Sequence, residues 1–403
     1  MNSNELFTSL FNDYDNYREK KLNSDYISHA QIVKQMNNIL TGEKLNVKKL
    51  GVSVGGKEIF SVAFGSGRTK ILAWSQMHGD EPTATAALFD LFNFFSVNDS
   101  FDDLRNKLLE NISFHFIPML NPDGAELFTR ENIFNIDLNR DALRLQSYES
   151  NILWDYAEKL EPDFGFNLHD QNSYYTAGRS NNASAISLLA PPMNHVKSIN
   201  YIREKSMQVI CRINETLYQF IPQNIARYKD DFEPRAFGDN FTRNGISTIL
   251  IESGLYKNDP QKDFVRKLNF IALLSAFNSI AEKDYENIDH TKYFDIPENE
   301  ELLFDLLLRN LNLNHKGINF KIDIGINREK KWNTGSQSFY YNSKIADLGD
   351  LSTFYGIEEY DLTGYQIISD NKLSIDEPAD LKIFFNGQLR KEVRNGFFID
   401  PVK

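Results

Sequence analysis

The chain contains a histidine and a carboxylate that are spaced to share a metal ion. In the tetrapeptide HGDE at residues 78–81, His78 and Glu81 offer an imidazole nitrogen and a carboxylate oxygen three residues apart. A catalytic zinc takes these ligand atoms, with a third protein ligand and one position for water. Such a pair also arises by chance among solvated loop residues. The metal hypothesis therefore depends on what the rest of the chain supplies.

The elements around this tetrapeptide predict a loop at the end of a strand. The apolar run at residues 71–74 is typical of a buried strand, and Pro82 is followed by a segment rich in Ala, Thr and Leu. Proline in the first turn is a common helix start. The HGDE segment is therefore expected to connect a strand to a helix.

Other polar residues follow other apolar runs. The sequence NPDG at 121–124 predicts a turn, because proline fixes φ and glycine permits positive φ. The strand-like run at 163–168 leads into His169, and the run at 246–251 leads into Glu252. These runs alternate with helical segments, and ligand sites form at the carboxyl edge of such α/β sheets. We therefore expect these side chains just beyond the strand ends, close to the HGDE loop.

Arginine and asparagine side chains follow the NPDG motif in the sequence. Arg130 and the sequence DLNR at 137–140 follow the NPDG motif. Each could be a surface loop residue on its own. Arginine binds carboxylates in a bidentate manner and stays charged, so the group favours an anionic substrate.

As an ordered set, these motifs resemble the zinc carboxypeptidase family, the M14 metallopeptidases, and in their compact spacing its shorter bacterial members. The likeness extends from about Val47 to Glu282 and rests on HGDE at 78–81, NPDG at 121–124, Arg130, DLNR at 137–140, NLHD at 167–170 and LIESG at 250–254. The resemblance implies an α/β fold, in which a mixed, mostly parallel sheet is sandwiched by helices.

The resemblance also implies the catalytic groups. One zinc ion per chain would be held by His78, Glu81 and His169. Glu252 would act as the general base, and Arg130 would face the scissile carbonyl oxygen.

Substrate-binding residues follow from the same resemblance. Asn139 and Arg140 would hold the terminal carboxylate of the substrate, and Asp137 would orient the imidazole of His78. The family's usual substrate-contacting tyrosine has no direct match. Tyr228 is a shifted candidate for it, and Asp239 aligns near the floor of the specificity pocket.

Composition narrows the class of partner. The 403 residues are 41% hydrophobic and 25% charged, which is ordinary for a globular protein. The chain has 44 lysines and arginines and 56 acidic residues, which gives a net charge of −12, so nucleic acid is not an expected partner.

Two reactive side chains are assigned structural roles. They are Cys211, in a helical run, and His115, inside a strand-like run.

The organisation of the chain predicts two domains. Residues 1–288 form the catalytic domain, with a helical N-terminal segment at 1–45, and residues 289–403 form a β-rich accessory domain in which 300–312 reads as a helix. No stretch reaches the ~18 apolar residues of a membrane span, and the first residues do not resemble a signal peptide. We therefore expect a cytoplasmic protein without a membrane partner.

The expected function is that of a zinc metallocarboxypeptidase, which hydrolyses a peptide or amide bond next to a free carboxylate. The alternative within hydrolases is an N-acyl amino-acid deacylase or a murein-peptide amidase. The expected substrate is accordingly a peptide or an N-acyl amino acid with a free carboxylate. A metal-free binding protein is a further alternative, but it would need neither Glu252 nor Arg130. The sequence leaves the oligomeric state open.

Overall fold

The computed structural model describes residues 3–40, 44–315, 317–369 and 373–399. The chain folds into two compact units, Met1–Asn172 with Ser184–Asn299, and Ser173–Ala183 with Glu300–Lys403. The domain division at residues 288/289 stays a prediction. Parts of the segments predicted as 1–45 and 289–403 lie outside the described residues, namely 1, 2, 41–43, 316, 370–372 and 400–403.

The helices alternate with strands through most of the first unit. The α-helices are α1 Ser3–Asp13, α2 His29–Leu40, α3 Thr83–Ser96, α4 Asp102–Asn111, α5 Pro122–Leu127, α6 Tyr148–Leu160, α7 Tyr201–Leu217, α8 Phe237–Arg243 and α9 Asp263–Glu282. Short 3-10 helices occupy Tyr14–Asn16, Leu138–Arg140, Asp284–Asn287 and His290–Asp295. Within the described ranges, no helix is both long and apolar enough to cross a membrane. The cytoplasmic location stays a prediction.

The strands divide between the two units. They are β1 Asn46–Val52, β2 Glu58–Phe64, β3 Thr69–Ser75, β4 Ile112–Ile117, β5 Phe164–Asp170, β6 Tyr175–Ala177, β7 Ile186–Leu189, β8 Ile225–Arg227, β9 Ser247–Ser253, β10 Asn299–Glu301, β11 Leu303–His315, β12 Ile318–Asn333, β13 Ser338–Gly349, β14 Tyr355–Asp361, β15 Gln366–Ser369, β16 Leu381–Phe385, β17 Gln388–Arg394 and β18 Phe397–Ile399.

A mixed sheet forms the centre of the first unit. Its strand order is β1-β2-β4-β3-β5-β9-β7-β8. The central neighbours β4-β3, β3-β5 and β5-β9 are parallel, as is the edge pair β7-β8, whereas β1-β2, β2-β4 and β7-β9 are antiparallel. The predicted fold class, a mixed and mostly parallel sheet between helices, is confirmed.

Both faces of this sheet are covered by apolar side chains of helices. On one face, Phe166 of β5 packs edge-on against Phe277 of α9, with ring centroids 5.4 Å apart. On the other face, Trp74 of β3 packs against Phe241 of α8 at 5.3 Å. Side chains of one strand alternate between the two faces. The central strands are therefore buried on both sides and read in the sequence as continuous apolar runs.

Two side chains predicted to be structural lie in the first unit, one buried and one half-buried. Cys211 is buried in α7, and burial raises the pKa of its thiol to about 12. The imidazole of His115 lies in β4 within hydrogen-bond distance of the hydroxyls of Tyr156 and Ser113, at 2.9 and 3.1 Å. Neither residue needs a catalytic role to explain its surroundings.

The second unit is β-rich, as predicted. Its larger sheet has the order β13-β12-β11-β15-β16-β17-β18, and β14 pairs with β11. The predicted helix at 300–312 is wrong, because most of that segment belongs to strand β11. Leu306 and Leu308 enter one apolar cluster and Leu307 enters another. An apolar run buried on both faces does not distinguish strand from helix by periodicity, and here pairing with neighbouring strands decides the conformation.

Candidate metal centre and active site

The HGDE loop follows β3 and ends where α3 begins, as the sequence predicts. Pro82 is the N-cap residue of α3, and Glu81 directly precedes it. The loop packs tightly on α5: a Cβ atom at Gly79 would lie 1.9 Å from the carbonyl carbon of Gly124 and 2.2 Å from the nitrogen of Ala125. Glycine at position 79 therefore allows the two segments to meet.

The NPDG motif is the start of a short helix, so the predicted turn is wrong. The side chain of Asn121 caps α5 by accepting a hydrogen bond from the N–H of Gly124 at 2.9 Å, and Pro122 lies in the first turn. Asparagine is a favoured N-cap residue and proline is favoured just after it. The Asn121 amide also donates to the carbonyl of Met77 at 3.3 Å. This residue thus ties α5 to the HGDE loop.

The structure brings His78, Glu81 and His169 together as a group that could hold a metal ion. One ligand atom from each lies within 4.8 Å of the others, and all three residues are buried. The Nδ1 atom of His78 lies 2.7 Å from one Glu81 oxygen, and Nδ1 of His169 lies 2.7 Å from the other. Both imidazoles therefore present the same ring nitrogen to one carboxylate.

The second nitrogen of His78 explains why a cation fits this group. Nε2 lies 3.1 Å from a carboxylate oxygen of Asp137, which can only accept a hydrogen bond. The ring therefore carries its proton on Nε2 when neutral, and Nδ1 then presents a lone pair to Glu81. A lone pair facing a carboxylate needs a proton or a cation between them. Asp137 stands where the sequence predicted an orienting residue.

The pKa values of His78, His169 and Glu81 reflect how close these three side chains are to one another. Burial opposes protonation of His78, but the carboxylates of Glu81 and Asp137 outweigh it and raise its pKa to about 9. Burial lowers the pKa of His169, for which Glu81 is the compensating carboxylate. Burial alone would raise the pKa of Glu81, yet the two imidazoles hold it well below its ordinary range. The triad of His78, Glu81 and His169 thus keeps the Glu81 carboxylate ionised.

Glu252 faces the metal-ligand group from the adjacent strand. It is the Cα partner of His169 in the parallel pair β5-β9, so both side chains point to the same face of the sheet. The sequence predicts both residues just beyond their strands. Each is instead the last residue but one of its strand. Burial raises the pKa of Glu252 well above its ordinary range, and the nearby charge of Glu81 adds to that shift.

Arg130 borders the group on the side of His78. Its Nη1 lies 3.2 Å from Nδ1 of His78 and 3.6 Å from a Glu81 oxygen. Its Nε donates to Asp137 at 3.0 Å, which fixes the guanidinium. Burial would lower the pKa of Arg130, but the charges of Glu81 and Asp137 raise it. A fixed cation with 40% of its side chain exposed is thus available beside the candidate metal ligands.

Asn139 and Arg140 lie in a short 3-10 helix next to the triad. The Asn139 amide nitrogen lies 3.5 Å from Nε2 of His169, and its amide oxygen accepts a hydrogen bond from the N–H of Phe237 in α8 at 3.0 Å. The Arg140 side chain is 38% exposed, and its Nη1 donates to the Asn139 carbonyl at 2.8 Å. Both residues are therefore held at the rim of the candidate site.

The remaining predicted residues lie on neighbouring segments. Tyr228 follows β8, the edge strand, where its N–H donates to the carbonyl of Leu188 at 2.9 Å. Its role in substrate binding stays a prediction. Asp239 is buried in α8, and burial raises its pKa to about 7.

Sequence reasoning missed two charged groups near the site. Asp170, next to His169, accepts hydrogen bonds from the Thr83 hydroxyl and, at 3.1 Å, from the Lys262 ammonium. Glu233 lies against Arg140, with 3.4 Å between a carboxylate oxygen and Nε. The charged residues Glu233 and Arg235 on either side of Pro234 were a signal in the sequence. The contact of Glu233 with Arg140, however, depends on the conformation of the 229–236 segment.

Both the sequence and the fold are similar to those of known proteins. A sequence model of the zinc carboxypeptidase family, Peptidase M14, matches residues 33–212. Carboxypeptidase SOL1 of Arabidopsis thaliana is 43% identical over 65 residues, which is 16% of this chain. That match spans only 13% of the length of the Arabidopsis protein. The matched family segment contains the HGDE, NPDG, DLNR and NLHD motifs.

Solved structures support the fold. A metallo-carboxypeptidase from Burkholderia cenocepacia superposes with a TM-score of 0.53 at 16% identity, covering 64% of this chain and 70% of that one. A metallo-carboxypeptidase from Pseudomonas aeruginosa, in complex with (2-guanidinoethylmercapto)succinic acid, gives a TM-score of 0.51 at 16% identity, with coverage of 64% and 70%. The zinc carboxypeptidase family model matches residues 33–212, and these solved structures show that the chain has the fold of metallo-carboxypeptidases.

Proposed function

We propose that this protein is a zinc-dependent metallocarboxypeptidase, which hydrolyses a peptide or amide bond next to a free carboxylate. The observation that carries the proposal is the approach of His78 and His169 to opposite oxygens of Glu81, both at 2.7 Å. The two histidines and the glutamate are the ligand types of a catalytic zinc with an open position. The match of the zinc carboxypeptidase family model to residues 33–212 supports the same activity.

Three residues would hold one zinc ion per chain: His78, Glu81 and His169. When bound, zinc supplies a Lewis acid that polarises a carbonyl oxygen and makes water acidic enough to react near neutral pH. Asp137 keeps the His78 ring in the orientation that presents Nδ1. The protein's own contribution to the metal is thus a fixed, buried ligand set.

Glu252 would move the proton during hydrolysis. It takes a proton from the attacking water and returns it to the leaving amine. Burial favours the protonated form of Glu252, whereas a bound zinc ion would favour the carboxylate, so the group could accept a proton and release it again. Arg130, fixed by Asp137, would donate hydrogen bonds to the negative charge that develops on the carbonyl oxygen. One such donor is often worth about 3 kcal/mol in the transition state.

The free carboxylate of the substrate would bind at Asn139 and Arg140. A planar guanidinium suits a carboxylate because it forms two parallel hydrogen bonds. The ligand of the Pseudomonas aeruginosa enzyme is a succinic acid derivative, and it therefore carries carboxylates. An N-acyl amino-acid deacylase or a murein-peptide amidase would use the same groups on this chain. The three candidate enzymes differ only in the acyl group that the scissile bond joins to the carboxylate-bearing part of the substrate.

Activity assays on the zinc-loaded protein test the proposal. Peptides with free C termini, the same peptides with amidated C termini, and N-acyl amino acids are compared as substrates. We expect hydrolysis of the free acids and at least a tenfold lower kcat/KM for the amides. Preference for N-acyl amino acids would favour the deacylase. No hydrolysis by fully zinc-loaded protein would contradict the proposal and favour a binding protein.

A further inference from the structure

A carboxylate of the chain itself lies against the guanidinium assigned to the substrate. One oxygen of Glu233 is 3.4 Å from Nε of Arg140, and the Glu233 side chain is 27% exposed. The Nη1 atom of Arg140 is occupied by the carbonyl of Asn139 at 2.8 Å. Glu233 therefore contacts the part of Arg140 that a substrate carboxylate would use, without the two parallel hydrogen bonds of a full bidentate pair.

Arg235 also binds the carboxylate of Glu233. Its Nε donates to one carboxylate oxygen at 2.9 Å and its Nη2 donates to the other at 2.7 Å. The backbone N–H of Arg235 adds a third hydrogen bond at 3.0 Å. The hydrogen bonds from Arg235 lower the pKa of Glu233 to about 2, so the carboxylate is ionised at neutral pH. Glu233 thus contacts two arginines, and it forms more and shorter contacts with Arg235 than with Arg140.

The segment that carries Glu233 and Arg235 is fixed by backbone hydrogen bonds, one of them to the chain just after Arg140. The N–H of Ala142 donates to the carbonyl of Arg235 at 3.0 Å. The N–H of Glu233 donates to the buried carboxylate of Asp239 at 3.1 Å. These bonds place the pair beside Arg140 through the backbone, which distinguishes it from a chance meeting of long surface side chains.

We propose that Glu233 competes with the substrate carboxylate for Arg140, and that Arg235 limits this competition by drawing Glu233 away. The inference rests on the proposed function of Arg140. When a free carboxylate binds, two negative groups would meet at one guanidinium, which is unfavourable. Arg235 binds Glu233 through two parallel hydrogen bonds, so the N–H groups of Arg140 stay available to the substrate carboxylate. The pair therefore sets the affinity of the site for free carboxylates.

Opposite effects of two substitutions test this arrangement. Glu233→Gln keeps the shape and removes the competing charge, so an N-acetylated dipeptide acid should bind more tightly. Arg235→Gln releases Glu233 toward Arg140, so the same acid should bind more weakly. Each change should be roughly two- to fivefold, the size expected for a partly exposed ion pair. The double variant should resemble Glu233→Gln, because Arg235 acts only through Glu233.

Calorimetry of the zinc-loaded protein with the dipeptide acid and its C-terminal amide gives these affinities. Glu252→Gln is present in every variant and in the wild-type reference, because the proposed base would otherwise hydrolyse the acid during the titration. Affinity for the amide should not change in any variant. Glu215→Gln, in the exposed Arg212–Glu215 pair of α7, is the matched control and should behave as wild type. Weaker acid binding in both Glu233→Gln and Arg235→Gln would show that Glu233 positions Arg140, and would overturn the inference. Equal binding of acid and amide to the wild type would instead contradict the proposed function, and the inference with it.

Discussion

His169 and Glu252 are direct partners across the parallel strands β5 and β9. The register of this pair places a candidate metal ligand and a candidate base side by side on one face of the sheet. Side chains alternate between faces along a strand, so a slip of one residue would turn Glu252 toward the opposite face. The geometry of the site is thus set by backbone pairing between buried strands, which surface loops alone could not fix as firmly.

Replacing Glu252 by glutamine tests its role as base. The change keeps the size of the side chain and removes the proton acceptor. We expect zinc content and substrate affinity near those of the wild type, while kcat falls about 100- to 10,000-fold, the usual range for a general base. Glu149→Gln is the control, since Glu149 is another buried glutamate, bound to the N–H of Val54. Full turnover by zinc-loaded Glu252→Gln would exclude the role.

Replacing His169 by alanine tests the metal site. Elemental analysis should find about one zinc per chain in the wild type and much less in this variant, because one of three protein ligands is lost. His115→Ala provides the control, since His115 is a half-buried histidine of the same sheet that bonds Tyr156. That variant should keep its zinc. Undiminished zinc in His169→Ala would remove His169 from the site.

The sequence was most informative where the local pattern and the tertiary environment agree. Ser147 caps α6 by accepting a hydrogen bond from the N–H of Ser150. The strand before the HGDE loop also lies where its apolar residues indicate. In α6 the capping serine agrees with the helix, and in β3 the apolar run agrees with burial, so a single sequence is enough to recognise these two segments.

The features that could not be predicted depend on distant segments. The NPDG motif carries turn residues, but packing of Gly124 against the HGDE loop and capping by Asn121 make it a helix start. Strand β11 has no helix- or strand-specific period, because both its faces are buried. The contact of Glu233 with Arg140 joins residues that are far apart in the chain, and no local pattern encodes it.

The affinity for zinc should increase with pH. In the metal-free protein the pKa of His78 is raised from 6.5 to about 9, so its imidazole is protonated at pH 7. Zinc must displace that proton, and the apparent affinity should therefore rise about tenfold per pH unit between pH 7 and 9. Competition with a chromophoric chelator measures this slope. An affinity independent of pH over that range would contradict the assignment of His78.

The same shift predicts the stability of the metal-free protein. A raised pKa means that the folded state binds the proton more tightly than the unfolded state. The resulting stabilisation is fully present below about pH 6.5 and is lost as the pH rises through about 9. Urea unfolding after chelation should therefore give a lower free energy of unfolding at pH 9.5 than at pH 6.5. In His78→Gln this difference should shrink.

Replacing Gly79 by alanine tests whether the loop on α5 positions the metal ligands. The added Cβ would overlap the backbone of Gly124, so either the loop or α5 must move. Such overpacking costs about 1–3 kcal/mol of stability. Because His78 and Glu81 flank this position, their ligand atoms would move with the loop. We expect at least a tenfold weaker affinity for zinc, measured by chelator competition.

The matched control for this variant is Gly56→Ala. Gly56 has φ of +80° and open space around its Cβ position, so alanine there adds backbone strain of about 1–2 kcal/mol without a steric overlap. Both variants should therefore lose comparable stability in thermal unfolding, but only Gly79→Ala should lose zinc affinity. Equal zinc affinity in the two variants would show that the ligands do not depend on this contact. Zinc loss in both would attribute the effect to general destabilisation of the fold.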